Sequence, residues 1–194
     1  MRFSKYLTRS LMGSFDIFML MPHAEKYFAN NTKQALWSFI APLAVAVYIL
    51  LITYHIDGTS EFVLKSYLWL LLWTVYLGAI KMAIFLGLSY EIIRVLGRKH
   101  LFAKFVNANN WLMVSAAMAL TLPWLMLFFG QTMDIVMPCF LCAVFYVLLM
   151  LCVMAKYVLD ISWMITFTFA VACVLANAVV SVVLGKFLAG MFIF

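Results

Sequence analysis

The stretch DIVMPCFLCAVFYVLLMLCVMA, residues 134–155, decides what kind of fold this chain makes. Nothing between Asp134 and Lys156 is charged, and apolar side chains follow one another without the every-other-residue pattern of a strand. Its length suits a helix crossing a hydrocarbon core of about 30 Å, which takes roughly 20 residues. A continuous run also argues against a barrel, whose strands alternate lipid-facing and lumen-facing residues.

Similar runs lie on either side, at about 35–54, 67–93, 111–130 and 161–184. Composition agrees with them. Hydrophobic residues make up 68% of the chain and charged residues 10%, against roughly 45–50% and about 25% in a soluble domain. A soluble fold of this size lacks the interior to hide so much apolar surface. The sequence therefore predicts an all-α, polytopic integral membrane bundle of five transmembrane helices. Residues 1–34 read as a cytoplasmic amphipathic segment and 35–194 as the transmembrane domain. The final apolar stretch, Phe187–Phe194, is too short to cross again and reads as an extension of the fifth helix or an interfacial tail.

Orientation follows from the basic residues. Ten of the thirteen fall on one side of this layout. They are Arg2, Lys5, Arg9, Lys26 and Lys33 before the first span, Arg94, Arg98, Lys99 and Lys104 after the second, and Lys156 after the fourth. Only Lys65 and Lys186 fall opposite. This bias predicts an N-terminus inside and a C-terminus outside. Trp37, Tyr54, Tyr67, Tyr90, Trp111, Tyr157 and Trp163 fall near the expected interfaces. The formal charge of +6 then reads as topology signals and contacts to anionic headgroups rather than as nucleic-acid binding.

Before the first span, Leu7, Leu11, Phe15, Phe18 and Met19 recur at helical spacing, with Lys5, Arg9 and Asp16 elsewhere. That pattern predicts an amphipathic helix lying in the membrane interface, ended by Pro22, with partner binding as the other use of its surface. Residues 1–34 do not read as a cleavable signal, since charges are scattered through them.

Catalytic signals are thin. There is no HExxH, phosphate loop or GxSxG, and His23, His55 and His100 stand in different flanks, so no enzyme, metal or cofactor is expected. Cys139 and Cys142 form a CxxC near the outer edge of the fourth span. They read first as packing and second as a redox pair. Lys81 is the one charge deep in a span. Counting helical rise places Ser115, Tyr146 and Thr166 near its level, a possible polar layer, but no carboxylate in the spans joins them. Snorkelling toward phosphates is the simpler fate of Lys81. Ser115, Ala116, Ala117 and Ala119 in the third span, and Ala172, Ala176, Ser181 and Gly185 in the fifth, mark close helix contacts. Asn177 is expected to hydrogen-bond across one of them.

The layout resembles the five-span Yip-type (Ypt-interacting-protein-like) family, particularly its bacterial members. The likeness rests on Met21-Pro22-His23-Ala24-Glu25-Lys26-Tyr27-Phe28 before the first span and on the basic loop Gly97-Arg98-Lys99-His100 through Phe105. It extends to Leu122-Pro123-Trp124 in the third span and the polar link Lys156 to Ser162. The family's glycine pair in the basic loop is absent. The resemblance implies a non-enzymatic scaffold in a bacterial inner membrane and transfers no catalytic residue.

Two functions compete at this point. One is a scaffold or accessory subunit that binds anionic lipid or a protein partner, or forms a homo-oligomer, through Lys5, Arg9, Arg94, Arg98, Lys99 and Lys104. The other is a small oligomeric transporter or channel with a polar path near Lys81 and Asn177.

Overall fold

The computed structural model describes residues 3–57 and 61–191, with side chains for these apart from residues 50, 52–57, 61–71, 73, 74, 177, 181 and 184–191. The described residues contain helices and no strand. Helix α1 is Phe3–Phe18, α2 Thr32–Trp37, α3 Ile40–Asp57, α4 Glu61–Val95, α5 Phe102–Phe128, α6 Met133–Leu159 and α7 Trp163–Met191, with short 3-10 turns at Ala24–Tyr27 and Lys99–Leu101. Five helical stretches are long and apolar enough to cross a membrane, as expected: Thr32–Ile49, which takes in α2 and the first part of α3, and one in each of α4 to α7.

The boundaries shift in informative ways. The first run splits: Asn31 caps α2 by accepting from the Lys33 N–H at 2.8 Å, and a turn at Ser38 and Phe39 precedes α3. Helix α5 begins at Phe102 rather than near Trp111. Pro123 lies inside it and is buried. Helix α7 continues through Met191, so the apolar tail extends the last helix at least that far.

Three helices stop in the same way. After α4, Gly97 (φ +72°) is left-handed, with the Arg98 N–H on the Ile93 carbonyl and the Gly97 N–H on the Arg94 carbonyl, both at 3.0 Å. After α5, Gly130 (φ +76°) repeats the pattern. After α1 the left-handed residue is Leu20 (φ +56°), with Met21 N–H on the Asp16 carbonyl at 2.8 Å and Leu20 N–H on that of Ile17 at 2.9 Å. This double closure is the Schellman motif, which usually takes glycine. A leucine there costs about 1–2 kcal/mol of backbone strain. The helix thus ends at Leu20, before Pro22 is reached.

Helices α5 and α6 are joined by the short turn at Phe129–Thr132 and run antiparallel, with the most extensive contact in the molecule. Helix α3 runs parallel to α5, tied by Ser38 to Asn110 and by Tyr48 to Thr121. The core is concentrated at one end, where Ile93, Phe105, Trp111, Met150, Ala155 and Phe169 are buried together. The turns joining α4 to α5 and α6 to α7 lie at this end.

Helix α1 has two unlike faces, as its spacing predicts, and the face packed against the bundle is the small, polar one. Its buried face is Tyr6, Ser10, Gly13, Ser14 and Ile17. Its outward face carries Leu11 (47% exposed), Met12 (54%), Phe15 (50%) and Met19 (47%). Only Leu7 and Phe18 of the predicted apolar face pack against the core.

Candidate functional site

The small polar face of α1 lies along the first half of α5 and forms a buried hydrogen-bonded seam, in which Asn107 Nδ2 and Asn110 Oδ1 are left without a partner among the described residues. The Tyr6 hydroxyl accepts from Trp111 Nε1 at 3.1 Å, and its one proton is shared between Asn107 Oδ1 at 3.0 Å and the Gln34 carbonyl at 3.1 Å. About two turns deeper, Ser115 donates to the Ser14 carbonyl at 2.7 Å. That leaves the Ser14 proton to bridge Ser115 Oγ at 2.9 Å and the Trp111 carbonyl at 3.1 Å. Asn110 reaches the other way, donating to Ser38 Oγ at 2.7 Å, and Ser38 passes its proton to the Ala35 carbonyl at 2.6 Å. Bonds of this kind contribute about 0.6 kcal/mol each in a membrane protein.

Burial holds the Tyr6 hydroxyl above the usual tyrosine range, offset in part by Trp111 and nearby Ser10, so it remains a neutral donor. Ser10 Oγ sits close enough to act on Tyr6 electrostatically but lacks the geometry of a hydrogen bond. Trp111, expected at the lipid interface, is 2% exposed and belongs to this seam instead. The seam residues Tyr6, Ser10, Ser14, Asn107 and Asn110 went unnoticed in the sequence. Ser10-xxx-Ser14, a small-xxx-small pair, and the run Asn107-Ala108-Asn109-Asn110 beside an apolar span were the available signals.

The expected basic face divides into paired and unpaired cations. Arg94 meets Glu91 at 2.5 Å, Arg98 meets Asp160 at 3.4 Å, and Lys104 meets Glu25 at 2.6 Å. Arg98 also donates to the Asp160 carbonyl at 3.1 Å, bracing the left-handed residue that ends α6. Arg98 and Lys104 thus join distant parts of the chain, whereas Arg94 is paired within its own helix. Lys5, Arg9, Lys26, Lys33 and Lys99 are exposed and have no carboxylate partner among the described residues. Arg9 donates to the Lys26 carbonyl, and Lys33 stands 5.1 Å from the centre of the Trp37 ring. Asn30 donates to the His100 carbonyl at 2.6 Å, which joins the segment before α2 to the turn bearing Lys99.

The expected polar layer does not assemble around Lys81. Ser115 is bonded to Ser14, Tyr146 donates to the Phe18 carbonyl, and Thr166 turns back on the Ser162 carbonyl at 2.9 Å. Lys81 is half-buried, with no ion pair or hydrogen bond among the described residues. The side chains of Asn177, Ser181, Gly185, His55, Lys65 and Lys186 lie outside the described residues. The nearest carboxylate in sequence to this seam is on α1 and is engaged elsewhere. Asp16, two residues past Ser14, has Oδ2 buried and 3.2 Å from His23 Nε2.

Cys139 is half-buried and Cys142 exposed, and both are free thiols near the start of α6. Between α3 and α5 lies an apolar cavity of about 170 Å³, bordered by Val45, Tyr48, Met113, Ala116, Ala117 and Trp124. Its one hydroxyl, on Tyr48, is engaged with Thr121 at 2.7 Å. Among the described residues no group of His, Cys, Asp and Glu could hold a metal ion. No family model, curated protein or solved structure matches this chain.

Proposed function

We propose that this protein is a non-enzymatic membrane scaffold or accessory subunit. Its unpaired cations at one end of the bundle engage anionic headgroups or an acidic protein partner. The observation that carries this reading is the division of the basic face. Arg94, Arg98 and Lys104 are neutralised by carboxylates, whereas Lys5, Arg9, Lys26, Lys33 and Lys99 are left for something outside the chain. Orientation by the basic loops puts that end in the cytoplasm, and the Yip-type layout points to a bacterial inner membrane.

Each surface cation contributes about 1 kcal/mol toward an anionic leaflet. Replacing Lys5 and Lys99 together by Gln should therefore weaken retention of anionic lipid roughly 30-fold, read by native mass spectrometry from nanodiscs. Arg94→Gln should change it by less than about 3-fold, since Glu91 already screens that charge. Equal effects from both variants would remove the basis of the proposal.

One observation favours a second reading, a small oligomeric transporter or channel. Lys81 stands without a polar partner among the described residues, and intramembrane cations of that kind mark pathways. A small solute or ion retained by the intact protein and lost in Lys81→Met would establish it.

A further inference from the structure

We propose that α1 is a re-entrant half-span, which dips into the bilayer beside α5 and presents Leu11, Met12, Phe15 and Met19 to acyl chains. This goes beyond the scaffold reading and does not depend on it.

The register comes first. Tyr6 pairs with Asn107 and Ser14 with Ser115, both at a sequence offset of 101. A constant offset over two helical turns means that α1 and α5 run side by side in the same direction. A helix lying in the membrane plane would cross α5 steeply and meet it over one turn only.

Two independent rulers then measure how far α1 reaches. Ser115, bonded to Ser14, is 13 residues from the start of α5, roughly 20 Å along its axis. Tyr146, bonded to the Phe18 carbonyl, is 13 residues from the end of α6, again roughly 20 Å from the same end of the bundle. Both helices have 27 residues, so the last turn of α1, from Ser14 to Phe18, lies near the middle of each.

The chemistry of α1 changes along that path as a bilayer requires. Its cations, Lys5 and Arg9, stand in the first half, and no lysine or arginine follows until Lys26. Asp16, the one charge beyond them in α1, turns its buried oxygen toward His23 and away from the outer flank. The outer surface at this level is apolar around the bundle too: Met113 and Met118 on α5, and Leu141 and Phe145 on α6, are exposed.

The helix end supplies the strongest argument. A helix that stops in water can leave its last four carbonyls to solvent, but one that stops in hydrocarbon cannot. Here all four are satisfied from within the protein. Phe15 accepts from Met19 N–H at 2.9 Å, Asp16 from Met21 at 2.8 Å, Ile17 from Leu20 at 2.9 Å, and Phe18 from the Tyr146 hydroxyl. Closing this set requires the left-handed residue at position 20, and the chain accepts that conformation at a leucine. Bilayer acyl chains are accordingly the occupant of the outward flank.

The test is nitroxide labelling of Phe15→Cys in nanodiscs, with Cys142→Ala to remove the exposed native thiol. Phe15 lies within a turn of Phe18, which meets Tyr146 beside Phe145, so labels at the two positions should show depths within about 5 Å of each other from oxygen and nickel-chelate accessibility. A label on Lys5→Cys should be open to nickel. A Phe15 label open to nickel would place α1 in water or at the surface. One closed to both reagents would mean a protein partner or second copy covers the flank. A label in the headgroup region, clearly shallower than Phe145, would return α1 to the membrane plane. Any of these three results overturns the proposal. All labelled positions face outward, and the seam is untouched in every variant.

Discussion

Helix α5 has two neighbours that share its direction, and it meets them in opposite ways. Toward α1 it offers Asn107, Trp111 and Ser115, which join hydroxyls and carbonyls in a buried seam. Toward α3 it offers Met113, Ala116 and Ala117, and there the ties at Asn110 and Thr121 leave an apolar cavity of about 170 Å³ between them. Both faces carry small residues. Lipid tails are as apolar as the side chains, so alanine alone provides no force to close a gap, whereas paired polar groups do. The contrast teaches that small residues in a membrane helix permit close approach and that polar partners enforce it.

The largest effect should come from forcing α1 off the segment that follows it. A Cβ at Gly13 would lie 2.7 Å from both Phe28 Cζ and Tyr27 Cβ. Gly13→Leu should therefore displace α1 and cost about 3 kcal/mol, measured by unfolding in mixed micelles. Wild-type stability in this variant would mean that Tyr27 and Phe28 give way and α1 keeps its place on α5. Next, Tyr6→Phe removes one hydroxyl but strands Asn107 and Trp111, so about 2 kcal/mol is expected in the same assay. A loss no greater than the ~0.6 kcal/mol of an ordinary bond would show that the seam does not act as a unit. The smallest effect should come from the open side. Ala117→Val adds bulk where there is space, and stability should move by less than about 0.5 kcal/mol. A large loss there would erase the contrast.

The spanning helices were legible because continuous apolar runs of that length have one solution in a bilayer. The apolar stripe on α1 was legible as well, but the packing of its small polar face against α5 was not. In water such a stripe turns inward. Beside a membrane bundle, Leu11, Phe15 and Met19 turn outward, and Ser10, Gly13 and Ser14 become the buried face. Periodicity reports that two faces differ and is silent on which one the surroundings favour. The basic residues were likewise readable as a set. Which of them are spent on Glu25 or Asp160 depends on pairings 79 and 62 residues apart, beyond the reach of local pattern. Asn107 and Asn110 were passed over because asparagines at the edge of an apolar run also suit an interface.

The offset of 101 residues between α1 and its partner on α5 has a consequence in time. A ribosome adding 5–20 residues per second makes α1 roughly 5–20 s before Ser115 exists to receive Ser14. Through that interval Ser14 lacks the α5 groups it will bond, so the membrane surface, with Leu11 and Phe15 toward the chains and Ser10 and Ser14 toward water, is the place open to the helix. Docking is then a late step of assembly, reached after three spans have been made. A chain halted before α5 would hold its first helix in the plane of the membrane, and only the completed one would draw it in.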